Sequence, residues 1–314
     1  MLDGKTLYMC ADQYLRWEHE GTDYVLHVLQ DDAPMNPRED RENIANLICF
    51  HSRYCLGDEH KEKTALEYLQ HLVAENVPSD NIFAAAYEGK LPGIRVSFAT
   101  KYHEYNLYNI YEMCEYRTVL GDTEPKEELV YAEVNEGVIV DYLIDELTER
   151  HCLSLLKPYM EWEFLYLFDH GEITISCGDT NPYYDRWDSG CVGFAYVTKK
   201  RLDKYGFPDG NEDPTWRERA RGVIEAEVKE YDYYISGENY GYKLLELHPD
   251  DENGEENWIE IDSCWGYLGD DIIASGLLED VKKETGLAEA IEKDEYKKGN
   301  VTEHKHVCYT YSYD

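Results

Sequence analysis

The densest run of reactive side chains is Cys49-Phe-His-Ser-Arg-Tyr-Cys-Leu-Gly-Asp-Glu-His60. His51, Asp58 and His60 are metal-ligand types, and Cys49 beside His51 has the makings of a base-activated thiol. The spacing argues against both. His51 and His60 are separated by eight residues rather than by one helical turn, and nothing in the sequence fixes a third ligand. The simpler reading is a buried strand, Leu47 to Phe50, running into a turn at Gly57-Asp58, with Arg53 paired to an acid.

A second segment, Asp185-Arg-Trp-Asp-Ser-Gly-Cys-Val-Gly-Phe194, offers two carboxylates three residues apart, suited to acid/base chemistry or to holding a cation. Its Ser189 lies in D-S-G-C-V-G and not in the G-x-S-x-G elbow of hydrolases. The structural alternative is a loop in which Gly190 and Gly193 permit tight backbone geometry and Trp187 packs on a sheet. A third segment, Asp262-Ser-Cys-Trp-Gly-Tyr-Leu-Gly-Asp-Asp271, again combines acid, thiol, tryptophan and glycine at a strand end, and reads as core and turn. Cys191 and Cys264 are candidates to approach one another. A phosphate-binding G-x-x-x-x-G-K-[ST] loop and a dinucleotide glycine fingerprint are both missing from the sequence. No enzyme signature is complete, and no cofactor is expected.

What recurs instead is tyrosine beside acid: Tyr102-His-Glu-Tyr105, Tyr108-Asn-Ile-Tyr111-Glu, Tyr183-Tyr-Asp185, Glu230-Tyr-Asp-Tyr-Tyr234 and Glu238-Asn-Tyr-Gly-Tyr242. Exposed tyrosines give large contact area at low entropic cost, and neighbouring carboxylates steer and hold a basic surface. The candidate partner-binding residues are therefore Tyr183, Tyr184, Asp185, Asp188, Glu230, Asp232, Tyr233, Tyr234, Asp250, Asp251, Glu255 and Glu256.

These residues must be positioned by the elements that the hydrophobic pattern predicts. Alternation predicts a strand over Asp23–Leu29, and helical spacing of Leu66, Leu69, Leu72 and Val73 predicts a helix over Lys61–Asn76. A short strand is expected near Gly93–Ala99, ahead of the tyrosine-rich stretch Tyr102–Tyr116. One helix is expected over Val138–Leu156, stopped by Pro158. Glu163–Cys177 reads as a hairpin turning at Asp169-His-Gly171, followed by a strand over Val192–Thr198. Pro214–Tyr231 reads as a helix capped by Asp213. Tyr240–Leu247 and Trp258–Asp262 read as a second hairpin across Asp250–Asn257, Asp270–Asp294 as a helix with a break at Gly286, and His304–Tyr313 as a closing strand. Helices and strands mix without a βαβ rhythm, so the expectation is α+β, a mixed and mostly antiparallel sheet with flanking helices. The change of character near residue 160 suggests an N-terminal region over 1–160 and a C-terminal one over 161–314, which would also be compatible with a single domain.

The 314 residues carry 66 acidic and 30 basic side chains, a formal charge of −36, with 43 % hydrophobic and 13 % aromatic residues. Such a chain can build a core, and it repels both the nucleic-acid backbone and anionic lipid. Its paired lysines and 29 tyrosines fit poorly with adaptation to high salt. Direct nucleic-acid or membrane binding is not expected, and the natural partner is a basic protein; self-association stays open. Nine cysteines, an odd number with no CxxC pair, suit reduced buried thiols in a cytoplasm. The N-terminus lacks a signal pattern, and no run approaches the ~20 apolar residues of a membrane span.

The blocks Leu47-Ile-Cys-Phe-His-Ser-Arg-Tyr-Cys-Leu-Gly-Asp58, Trp187-Asp-Ser-Gly-Cys-Val-Gly-Phe-Ala-Tyr-Val197 and Asp262-Ser-Cys-Trp-Gly-Tyr267 are similar to those of a group of acidic, uncharacterised proteins carried by bacteriophages and other mobile elements of bacteria. The resemblance covers three short blocks in order and brings no catalytic residues with it. It implies an anti-defence role in the cytoplasm of the bacterial host: inhibition of a basic, nucleic-acid-processing protein such as a defence nuclease complex, by DNA mimicry in its electrostatic version. The acids are spread along the chain rather than gathered on one helix, which departs from a continuous DNA-like stripe. A metal-dependent enzyme built on His51, Asp58 and His60 or on Asp185 and Asp188 is the alternative, and a structural or assembly protein is a further one.

Overall fold

A computed structural model describes residues 5–39, 41–117, 123–205, 215–248 and 257–300. The chain opens with β1 (Gln13–His19) and β2 (Thr22–Gln30), joined at Glu20 and Gly21, both with positive φ, the backbone a two-residue hairpin turn requires. A short β3 (Asn46–Cys49) precedes α1 (Ala65–Asn76), which starts where Thr64 accepts the Glu67 amide. A helix the hydrophobic pattern did not reveal, α2 (Ser79–Tyr87), begins directly after Pro78. Three strands follow, β4 (Ile94–Tyr102), β5 (Tyr105–Arg117) and β6 (Thr123–Val134), the tyrosine-rich stretch forming one long strand.

The single helix expected over Val138–Leu156 is two, α3 (Glu136–Glu146) and α4 (Glu149–Leu156). Leu147 is extended, and Thr148 opens the second helix with a reciprocal cap: its hydroxyl takes the His151 amide while His151 Nδ1 takes the Thr148 amide. Capping satisfied the orphan amides that a continuous helix would have spared. Next come β7 (Met160–Asp169), β8 (Ile173–Gly178), β9 (Ser189–Thr198), α5 (Lys199–Lys204) and α6 (Trp216–Ser236). Asp213 and Pro214 lie outside the described residues. β10 (Asn239–His248) and β11 (Asn257–Leu268) form the second expected hairpin, longer than its hydrophobic pattern suggested. The expected helix over Asp270–Asp294 is broken into α7 (Leu277–Asp280), a turn of 3-10 helix over Lys283–Thr285, and α8 (Leu287–Lys293), because Gly276 and Gly286 take left-handed conformations. β12 (Lys297–Asn300) ends the described chain, and the closing strand expected over His304–Tyr313 lies outside it.

The strands order as β11-β10-β2-β1-β12, β3-β9-β7-β8 and β4-β5-β6, and every register resolved between neighbours is antiparallel. The fold is α+β, as the mixed pattern predicts.

Two compact units emerge, each assembled from separated stretches. One comprises Met1–Asn43, Leu165–Cys191 and Glu225–Asp314; the other comprises Ile44–Phe164 and Val192–Ile224. In the first, Leu15, Leu26, Val28, Tyr242 and Leu244 from the five-stranded sheet pack with Ile272, Leu277 and Ile291. In the second, Leu69, Val73, Ile82, Ile139, Leu143 and Leu156 from four helices pack on Val96, Ile110 and Phe194. Burial of this kind is worth roughly 1.5–3 kcal/mol per large aliphatic side chain and supplies the main driving force of each unit.

Candidate functional site

The resemblance block around Cys49–His60 is structural. Asp58 Oδ2 accepts the Leu47 amide at 2.9 Å and the Asp58 amide donates to Leu47 O at 2.7 Å, tying the turn to β3. Gly57 is forced here, since a Cβ would come within 2.3 Å of Leu47 O. His60 Nε2 sits 3.0 Å from Cys49 O, its ring between Phe50 and Tyr68, while His51 stacks on Tyr54 and accepts the Arg53 and Tyr54 amides at Nδ1. The three candidate ligands thus serve three separate local bonds. Among the described residues no group of three or more His, Cys, Asp or Glu side chains is placed to hold a metal ion.

The cysteines also depart from expectation. Of the eight described, only Cys49 and Cys152 are buried; Cys10, Cys55 and Cys191 are exposed, and all eight are free thiols, Cys191 and Cys264 included. Burial pushes the Cys152 thiol up to about 12, so it is inert.

The segment between β8 and β9, residues 179–188, departs furthest from a packed loop. Trp187, expected to pack on a sheet, is 95 % exposed, and Tyr184 is fully exposed. The loop is braced around them. Asn181 Oδ1 accepts the Tyr183 amide at 2.9 Å, and Asn181 Nδ2 donates to Ser189 Oγ at 3.0 Å. Tyr183 stacks on Phe168 with centroids 5.3 Å apart, and its hydroxyl meets Thr174 Oγ1 at 2.8 Å. Asp185 Oδ1 accepts the Trp187 amide at 2.7 Å and the Asp188 amide at 3.3 Å, an Asx turn that lowers its pKa by charge-assisted bonding from Trp187 first and Asp188 second. Ser189 Oγ donates to the Asp185 carbonyl. At the base, His170 Nδ1 lies 2.7 Å from Asp188 Oδ2, and that hydrogen bond raises the histidine pKa. Asp185 and Asp188 therefore do not form a general acid/base pair: one carboxylate ties backbone amides, the other a histidine. What the loop displays is an aromatic pair framed by carboxylates.

The α6 candidates occupy different roles in the same unit. Asp232 Oδ1 accepts the Ile175 amide at 2.7 Å on the edge strand β8, and burial raises its pKa. Consecutive residues of β8 therefore anchor both sets, Thr174 holding Tyr183 and Ile175 holding Asp232. Glu230 pairs with Arg41, and Tyr234 stacks on Tyr231. Tyr233 lies in contact range of Lys229 Nζ, 5.4 Å above its ring, and lines a cavity of about 470 Å³ together with Arg41, Glu227, Glu230 and Asp270. Arg38, whose side chain is only 2 % exposed, holds Glu227 at 2.8 Å. The cavity wall thus carries both signs of charge, Arg41 and Lys229 beside Glu227, Glu230, Asp270 and Asp271, rather than a field of one sign. Asp250, Asp251, Glu255 and Glu256 lie outside the described residues.

Sequence reasoning missed the open strand β6, all of whose described side chains from Pro125 to Glu133 are exposed. The contiguous run Leu129-Val130-Tyr131-Ala132, between Glu128 and Glu133, is its only sequence signal. No helix among the described residues is long and apolar enough to cross a membrane. Comparisons with known protein families, with curated proteins and with solved structures found no match to this chain.

Proposed function

We propose that this protein is an anti-defence inhibitor of mobile-element origin that binds a basic, nucleic-acid-processing protein inside its bacterial host. The observation that carries the reading is the braced loop 179–188, which holds Tyr184 and Trp187 in solvent beside Asp185 and Asp188. Exposing two large aromatic rings costs hydration free energy with no return in the free protein. Tyrosine and tryptophan are the residue types most enriched at binding hot spots, and a pre-ordered loop pays little further entropy on docking. The formal charge of −36 supplies long-range attraction for a basic face, so association is expected to be fast and salt-sensitive.

The electrostatic form of the inhibition is competition for a groove that takes nucleic-acid phosphates. The test is capture of partners from a bacterial lysate on the immobilised protein, eluted by a salt gradient, beside a Tyr184→Ala/Trp187→Ala double variant. A basic partner that elutes at moderate salt from the native protein and is missing from the variant supports the reading. A partner set that is identical for both proteins contradicts it.

A further inference from the structure

The three-stranded sheet of the other unit already binds an arginine of its own, with a tyrosine and a carboxylate. Arg95 on β4 lies 4.0 Å from the Tyr111 ring centroid on β5 and donates to both carboxylate oxygens of Glu127 on β6 at 2.6 Å. A guanidinium suits this pairing because its flat face lies over a π-system while its edge forks onto a carboxylate.

The same side-chain types recur where the β4–β5 hairpin turns, around a cavity of about 550 Å³, a size typical of ligand sites. Its wall includes Tyr102 and Tyr105, paired across the ladder, and the carboxylates of Glu104 and Glu136. No lysine or arginine is among its described lining residues. Lys101 neighbours the cavity along the chain, but strand alternation directs its side chain to the face opposite Tyr102. Tyr102 and Tyr105 are 64 % and 71 % exposed, so neither ring is spent on the core. His103, whose positive φ makes the turn, packs edge-on against Tyr102 with centroids 4.4 Å apart.

Glu136 is fixed without losing its charge. It opens α3, where Asn135 Oδ1 accepts the Val138 amide at 3.0 Å, and a carboxylate in that first turn offsets the partial positive charge of the helix start. The Tyr108 hydroxyl donates to Glu136 Oε1 at 3.0 Å. Burial first, and the Glu136 carboxylate second, push the Tyr108 phenol up, so the hydroxyl stays neutral and orients Glu136 without cancelling it. Gly137 adds no side chain to the wall. The cavity therefore offers rings and carboxylates of the kind that hold Arg95, with the cation left to be supplied from outside its lining.

We propose that this cavity receives the guanidinium of an arginine side chain presented by a basic partner, laid against Tyr102 and Tyr105 with its donors turned to Glu104 and Glu136. That the arginine belongs to a protein rests on the function proposed above; the recognition of a guanidinium rests on the cavity alone.

The probe is arginine blocked at both ends, N-acetyl-arginine amide, with blocked citrulline as its neutral isostere and blocked lysine as a cation without a fork. Amide shifts of the full chain, followed by nuclear magnetic resonance at physiological ionic strength, read the result. The expected outcome is saturable shifts confined to residues 102–107 and 135–137 with arginine, binding at least fivefold weaker with lysine, and none with citrulline. Glu104→Gln/Glu136→Gln should weaken arginine binding at least tenfold, and the change at 136 keeps an oxygen for the Tyr108 hydroxyl, so the fold is retained. Tyr102→Leu/Tyr105→Leu should weaken it similarly, while Tyr184→Ala/Trp187→Ala leaves it unchanged. Equal binding of arginine and lysine, or shifts spread over other acidic surfaces, would reduce the effect to general charge attraction and overturn the proposal. A lack of saturable shifts at these residues would overturn it equally. Because the probe is a single blocked residue, its result stands apart from whatever the loop 179–188 captures from a lysate.

Discussion

His170 Nδ1 lies 2.7 Å from Asp188 Oδ2, and that contact closes the base of the loop on whose crown Trp187 stands in solvent. Because the imidazole is itself exposed, the pairing is a local brace and not a buried proton switch. Its pKa is raised by the Asp188 hydrogen bond first and by the carboxylate charge second. A group whose pKa is raised by folding stabilises fully below its ordinary range and loses that contribution as pH climbs through the raised value. Nuclear magnetic resonance titration of His170 should therefore show a midpoint above the ordinary histidine range of about 6.5. Asp188→Asn should return it toward that range, and the protection of loop amides, corrected for the intrinsic rise of exchange with pH, should fall through the midpoint in the native protein only.

The two exposed rings cost little to remove. Tyr184→Ala and Trp187→Ala should each change the free energy of unfolding by no more than about 0.5 kcal/mol, as substitutions outside the core do. The same changes should weaken partner binding by about 2 kcal/mol or more, near thirtyfold. Denaturant unfolding beside a binding titration separates the two effects. A large loss of stability would mean the rings pack in the free protein.

Gly190 and Gly193 sit three residues apart in one motif, yet only one is sterically required. A Cβ on Gly193 would come 1.8 Å from the Ile48 carbonyl oxygen across the β3–β9 ladder, whereas one on Gly190 meets nothing within 4 Å. Gly193→Ala should destabilise by about 1–3 kcal/mol, and Gly190→Ala should stay within about 0.5 kcal/mol, both read as shifts in denaturation midpoint.

Asp232 tests the link between α6 and β8. Burial raises its pKa, so charging it costs the folded state. That cost is nil below the ordinary aspartate range, grows as pH rises through it, and is complete above the raised value, so stability falls across this window. Asp232→Asn keeps an oxygen to accept the Ile175 amide and removes the charge; it should raise stability at neutral pH and flatten the dependence. Asp232→Ala should instead cost about 1–3 kcal/mol by orphaning that amide.

Much of this fold is legible in the chain because its cues are local. The alternation over Asp23–Leu29, the Asp169–Gly171 turn and the apolar spacing of Leu69, Leu72 and Val73 each dictate an element by short-range chemistry. The continuous helix over 138–156 fails for an equally local reason, the Thr148 cap, while the helix over 270–294 breaks at Gly286 as its sequence suggests and additionally at the left-handed Gly276. The site is only half legible. Tyr184, Asp185 and Asp188 can be picked out by type, but the exposure of Trp187 depends on Asn181, Phe168 and Thr174 bracing the loop, and these are contacts no spacing announces. Asp232 reads as a contact residue by its acidity, yet its carboxylate instead accepts the Ile175 amide of β8.

The most direct test of the account is salt-gradient elution of lysate proteins from the immobilised native chain and from the Tyr184→Ala/Trp187→Ala variant, run side by side. The account predicts a stoichiometric basic partner on the native protein that is released at moderate salt and fails to bind the variant. Retention of the same partner by the variant, or its release only under denaturing conditions regardless of salt, would contradict it.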